Sequence, residues 1–207
     1  MILGNPFEAF VNAAPISVMM RAIVENTFNP QRIDEIFEQT AESQYTRILP
    51  FSTVADLLSE VVFDISPSVG AAIAANFEEI EVSRKSVYNK LNGVEPQVSV
   101  GFVHETAEHF IPVISELDAA RPEVIEGYRV KILDGNHFAP TEHRLKELQK
   151  LTDAPLPGKA LVVFDPQLSL VTHVTPCEDG HAQERALLKH ILPQVQPNDL
   201  WVGDRNF

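Results

Sequence analysis

Two aspartates stand out by their position. Asp134 closes "YRVKILD" immediately before Gly135-Asn136, and Asp204 follows "DLWVG", 70 residues further on (204 − 134). Each ends a hydrophobic run that reads as a strand, and in an α/β sheet the strand ends are where functional side chains collect. Carboxylates projecting from neighbouring strand ends can hold Mg²⁺ or Mn²⁺, because hard cations take oxygen ligands. A pair of such ions about 3.5–4 Å apart activates a water or hydroxyl and stabilises the leaving oxygen of a phosphodiester. Taken singly, each acid also reads as a turn residue, and Asp134-Gly135 is a strong turn signal. The agreement of the two positions within one strand order points to a shared site.

Other reactive-looking residues have simpler readings. "HETAEH" at 104–109 suggests a zinc helix, but that motif needs histidines at i and i+4. His104 and His109 are five apart, about 140° from a shared face at ~3.6 residues per turn, which leaves a solvated acidic face. Asp165 in "FDPQ" reads as the opening of a hairpin turn. Glu178, Asp179 and Gly180 in "CEDGHAQE" read as a helix entry, with acids at the positive N-terminus. The single cysteine, Cys177, excludes an internal disulfide, suits a reducing cytosol and reads as an inert, buried or half-buried thiol.

The elements that must position the acids follow from periodicity. Residues 1–127 read as helical. "NPQRIDEIFEQTAES" offers Asn29 as N-cap, Pro30 at the first helical position, and Ile33, Ile36 and Phe37 on one face. "FSTVADLLSEVVF" has Ser52 or Thr53 as cap, with Val54, Leu57, Leu58, Val61 and Val62 apolar. "SPSVGAAIAANFEEI" is a third helix, and "VSRKSVYNKLNG" a fourth, capped by Ser83 and ended by Asn92-Gly93. A fifth covers roughly Val103 to Ala119, with Pro112 expected to break or kink it. The character changes near Arg121-Pro122. "YRVKILD" alternates, with Tyr128, Val130, Ile132 and Asp134 on one face and Arg129, Lys131 and Leu133 on the other. "KALVVF" and "LSLVTHVT" are strands joined at "DPQ", "GHAQERALLKHIL" is a helix stopped by Pro193, and "DLWVGD" is again a strand. The expected class is α+β: a helical region over 1–125, then a strand, hairpin, helix, strand order over 126–207.

Charge limits the partners. The net charge is −13. Residues 1–127 hold 7 Lys+Arg against 19 Asp+Glu, and residues 128–207 hold 9 against 10. An acidic half argues against broad electrostatic adhesion to nucleic acid. No apolar run approaches the ~20 residues of a membrane span, and "MILGNPFEAF" lacks the basic start of a signal peptide. Within the acidic half, "EVSRKSVYNKL" has the pattern of a helix-turn-helix recognition helix. Val87 and Leu91 face inward, and Arg84, Lys85, Asn89 and Lys90 point out toward DNA. The first helix of that motif would come from "GAAIAANFEEIEV", within about 68–92, although the turn is longer than usual and lacks its common glycine.

"YRVKILDGNHFAPTEHRLKEL", "LPGKALVVFDPQL", "PCEDGHAQERALL" and "DLWVGDRNF" together resemble the transposases of the insertion-sequence-four family, and "SVYNKLNGVEPQ" is similar to the helical region that precedes their catalytic domain. The resemblance covers most of the chain and is strongest over 125–207. It implies a DDE enzyme with a ribonuclease-H-like catalytic domain. Its first catalytic Asp ends the first strand, matching Asp134 in "KILDGN". Its second ends the fourth strand in a D-R-N/G-F type motif, matching Asp204 in "GDRNF". Arg205, the next residue of that motif, joins the implied DNA contacts. The third acid is a Glu in a Tyr-Arg-Glu-Lys type motif expected beyond Phe207.

The resemblance therefore implies a transposase fragment ending after its second acid, without the last strand and the helices that cover one sheet face. The implied cofactor is Mg²⁺ or Mn²⁺. The implied partners are double-stranded DNA at transposon ends and a further copy or a full-length transposase, in a bacterial-type cytoplasm, at the nucleoid when DNA is bound. Two other functions stay open: a non-catalytic relic or DNA- or transposase-binding product, and a different carboxylate-metal nuclease of the same fold.

Overall fold

Asn29 shows how the helices begin. Its side chain accepts the Arg32 N–H at 2.9 Å, Pro30 takes the first helical position, and α1 (Pro15–Thr27) gives way to α2 (Pro30–Thr40). Ile33, Ile36 and Phe37 are buried on one face of α2, as the spacing predicts. Phe37 stacks on Phe51 with ring centroids 4.4 Å apart, joining α2 to α3 (Phe51–Val62). The computed structural model describes residues 11–43, 48–137, 158–177 and 183–205. They form an α+β chain of seven α-helices and one four-stranded mixed sheet. None of the described helices is long and apolar enough to cross a membrane.

α3 is not capped by its own Ser52 or Thr53. It begins at Phe51, with Pro50 at the N-cap position and no capping side chain there. The Asp34 carboxylate of α2 instead accepts the Ser52 N–H and the Ser52 hydroxyl, both at 2.8 Å. An acid from a neighbouring helix thus meets an orphan donor at the positive end of α3. α4 (Val69–Ala75) is shorter than its apolar run suggests, and α5 (Arg84–Asn92) is capped by Ser83 and ends at Gly93 as expected.

The chain divides into compact units of residues 1–95 and 96–207, not at the composition change near 125. The helix expected over 103–119 starts at Pro96, runs unbroken to Glu116 as α6, and passes through Pro112. It packs along strand β3 and so belongs with the sheet.

The second unit carries β1 (Arg129–His137), β2 (Lys159–Asp165), β3 (Leu170–Cys177), α7 (Glu184–Ile191), a 3₁₀ turn (Leu192–Gln194) and β4 (Asp199–Val202). The sheet order is β3-β2-β1-β4, with β1, β2 and β3 antiparallel and β4 parallel to β1. The hairpin is the one expected at "DPQ". The Asp165 carboxylate accepts the N–H groups of Gln167 and Leu168 and pairs with Lys131 across the sheet at 2.6 Å. α7 seats Leu187 and Ile191 on Leu133, Leu161 and Val163, with Trp201 and Cys177 packed against the same cluster. Cys177 is a half-buried thiol. The helix entry expected at Glu178, Asp179 and Gly180 lies outside the described residues.

β1 does not turn at Asp134-Gly135. It continues to His137, with Asp134 opposite Val162 and Gly135 opposite Leu161. The glycine serves packing here: a Cβ at 135 would run into the Glu184 carboxylate, which lies over this position.

Candidate functional site

The parallel pairing of β1 and β4 sets the heights of the two candidate acids. Its partners are Arg129 with Asp199, Val130 with Leu200, Lys131 with Trp201 and Ile132 with Val202. The offset is constant at 70 (199 − 129), which is also the separation of Asp134 and Asp204. β4 ends at Val202, so Asp204 stands two residues beyond the paired segment, and Asp134 lies inside β1 and not at its end. Continued two residues past the paired segment, this register would set Asp204 opposite Asp134; the pairing itself stops at Ile132 and Val202. Residues of equal parity within a strand share a face, so Asp134 lies on the face of Ile132, opposite the one that carries Leu133 and is covered by α7. Both aspartates are exposed, and Ile132 and Val202 beside them are 37% and 45% exposed.

The foot of β4 fixes that register. Arg129 forms an ion pair with Asp199 Oδ1 at 2.9 Å and donates to the Pro197 carbonyl at 2.9 Å, and the other Asp199 oxygen accepts the Gln196 N–H at 2.8 Å. The Arg129 N–H donates to the Asn198 carbonyl, and Asn198 takes the left-handed conformation (φ 67°) that asparagine tolerates. Trp201 then faces the core cluster. A slip of β4 by one residue would turn Trp201 outward. Sequence reading missed Asp199, although its place just before an apolar run with Asn198 was a usable signal.

Two carboxylates set level one strand spacing apart, about 4.8 Å, would suit one cation with metal–oxygen distances of about 2.0–2.6 Å. Among the described residues no group of three His, Cys, Asp or Glu is arranged to hold a metal. Glu184 lies over Gly135 on the other face, and Asp165 is committed to Lys131 and its own turn. His104 and His109 lie on α6, where the His104 ring meets the His173 ring edge-on at 5.8 Å.

A separate cavity of about 170 Å³ opens on the α6 side of the sheet, near the starts of β1 and β4. Its lining includes Arg129, Lys131, His173, Gln194 and Trp201. Burial pushes the His173 imidazole below its ordinary value, His104 and Lys131 add to this, and Glu108 opposes it.

The expected DNA-reading helix is only partly presented. Lys85 and Asn89 of α5 are exposed. Lys90 is not turned outward: it is half-buried, with its ammonium 4.6 Å from the centroid of the Phe37 ring, and burial lowers its pKa. Arg84 is exposed but folds over Tyr88 at 5.6 Å and lies against Gly70 of α4. Residues 76–83 separate α4 from α5, longer than a helix-turn-helix connection of three or four residues. Arg205 is exposed beside Asp204. No protein-family model, curated protein or solved structure matches this chain.

Proposed function

We propose that the chain belongs to a metal-dependent DNA strand-transfer enzyme of the DDE transposase type, with a ribonuclease-H-like domain in which Asp134 and Asp204 are two of the metal-holding acids. The observation that carries this reading is the constant offset of 70 between β1 and β4, equal to the separation of the two acids. The order β3-β2-β1-β4, with a hairpin, a crossing helix and a parallel fourth strand, agrees with the resemblance read from the motifs.

In this reading Asp134 and Asp204 hold and orient Mg²⁺ or Mn²⁺ on the open sheet face, and Arg205 and Lys85 contact DNA phosphates. When bound, the metal supplies positive charge against the attacking and leaving oxygens of a phosphodiester. Two aspartates leave a second ion short of protein ligands. A misplacement of about 1 Å costs ~10²-fold in rate, so cutting is expected to require the third acid that the resemblance calls for.

The test is a strand-cleavage assay with Mg²⁺ or Mn²⁺ on DNA carrying the ends of the encoding element. It compares the 207-residue chain with one continued downstream through the Glu that the resemblance calls for. The expected result is cutting by the longer chain alone, lost on Asp134→Ala. Absence of cutting by both sinks the enzymatic reading. Metal-dependent cutting by the shorter chain that disappears on Asp134→Ala would show that another acid completes the site. The non-catalytic reading is a product that only binds DNA or a full-length transposase. It predicts retention of element-end DNA without cutting by either chain.

A further inference from the structure

Residues 56–81 combine two features that a solvent-facing surface seldom carries together. They contain six acids, Asp56, Glu60, Asp64, Glu78, Glu79 and Glu81, and no Lys, Arg or His. They also expose four large apolar side chains: Val62 (74%), Phe63 (73%), Ile65 (71%) and Phe77 (63%). Isolated exposed hydrophobics need no explanation, but a cluster rimmed by charge marks an interaction surface.

The cluster comes from one corner of the first unit. Glu60 accepts the Ser66 hydroxyl at 2.7 Å on one oxygen and the Asn76 side-chain N–H at 2.7 Å on the other. Ser66 and Asn76 are therefore held together, which brings the backbone of their chain neighbours Ile65 and Phe77 to the same corner. The turn is fixed by Asp64 in a left-handed conformation (φ 56°), with the N–H groups of Ile65 and Ser66 both donating to the Glu60 carbonyl. Beside this corner lies a cavity of about 280 Å³ lined by Asp56, Glu60 and Glu79 with Thr53 and Asn76. Partial burial raises the Asp56 carboxyl above its ordinary value, and Asp34 and Glu60 add to the effect. A positive charge brought into the cavity would relieve that repulsion.

We infer that this corner docks a basic amphipathic segment of a partner protein, with apolar side chains on Phe63, Ile65 and Phe77 and a lysine or arginine in the cavity between Asp56 and Glu79. The inference rests on the first unit alone and is independent of the function proposed for Asp134 and Asp204. DNA is a poor occupant, because its phosphates would face six carboxylates, with Arg84 against Gly70 as a cation beside them.

The test uses the full chain and two fluorescein-labelled amphipathic peptides of about 18 residues, five helical turns, one of leucine and lysine and one of leucine and glutamate. Anisotropy is read at physiological salt. The expected result is binding of the leucine–lysine peptide alone. Affinity should fall at least about tenfold in Phe63→Ser/Phe77→Ser, which keeps every charge, and by a similar factor in Asp56→Asn/Glu79→Gln. Far-UV circular dichroism checks that the variants fold. No binding by the wild-type chain, equal binding of both peptides, or full binding by either double variant overturns the inference. So does concentration-dependent dimerisation that Phe63→Ser/Phe77→Ser abolishes, which would assign the corner to a second copy.

Discussion

Asp199 carries one oxygen to Arg129 and the other to the Gln196 N–H, and only 3% of its side chain is exposed. It lies at the start of β4, where the parallel pairing with β1 begins. Removing the carboxylate leaves a turn N–H without its acceptor and frees Arg129, which is half exposed and recovers much of its solvation. Asp199→Ala is therefore expected to lower the free energy of unfolding by about 1–3 kcal/mol, measured by urea denaturation. A variant as stable as the wild type would show that Trp201 alone sets the register.

His173 belongs to the same end of the sheet. Its pKa is held below the ordinary 6.5, first by burial and then by His104 and Lys131, so the unfolded chain binds the proton more readily than the folded one. Stability from this group is complete above about pH 6.5 and is lost as pH falls below it, because ionisation then favours unfolding. The urea midpoint should drop between about pH 7 and pH 5, and His173→Gln should flatten that drop. An unchanged slope in the variant would assign the pH dependence elsewhere.

At the scale of elements, the long helix α6 is the piece whose allegiance matters most. Its packing on β3 makes Pro96 the start of the sheet unit. A polypeptide of residues 96–207 is expected to unfold cooperatively. One of residues 126–207 loses the cover over β3 and the α6 wall of the cavity, and is expected to aggregate or give a non-cooperative transition. Equal behaviour of the two in thermal unfolding would contradict the division at Glu95.

Local chemistry made many of the elements legible. Asn29 and Ser83 cap with their own side chains, Asp165 ties its own turn, and the alternation in "YRVKILD" marks a strand. What was hidden depended on neighbours distant in sequence. The acceptor at the start of α3 is Asp34 from another helix, Lys90 leaves the surface for Phe37, and β1 runs past Asp134-Gly135 because β2 pairs with it. Pro112 sits within α6, where packing of the helix on β3 offsets the lost hydrogen bond. The two candidate acids were chosen by type and position, whereas Asp199 was signalled only by its place beside Asn198 before an apolar run, and its ion pair with Arg129 by nothing local.

For the whole molecule, electrostatics decides between partners. A chain of net charge −13 with 19 of its 29 acids in residues 1–127 repels DNA over much of its surface and attracts cations in several places. Any DNA contact must then be confined to Lys85, Arg205 and similar local groups, and it should weaken steeply with salt. For the same reason, overall uptake of a divalent cation says little, since the cavity at Asp56 and Glu79 also collects positive charge. The central claim is narrower: Asp134 and Asp204 share one cation on neighbouring parallel strands. The direct measurement is paramagnetic broadening of backbone amide resonances by substoichiometric Mn²⁺, comparing the wild-type chain with Asp134→Asn/Asp204→Asn. Strong broadening around residues 133–135 and 203–205 that is lost in the double variant, with broadening near Asp56 unchanged, is the predicted result. Broadening at only one of the two strands, or at both strands but undiminished in the variant, would contradict the shared site.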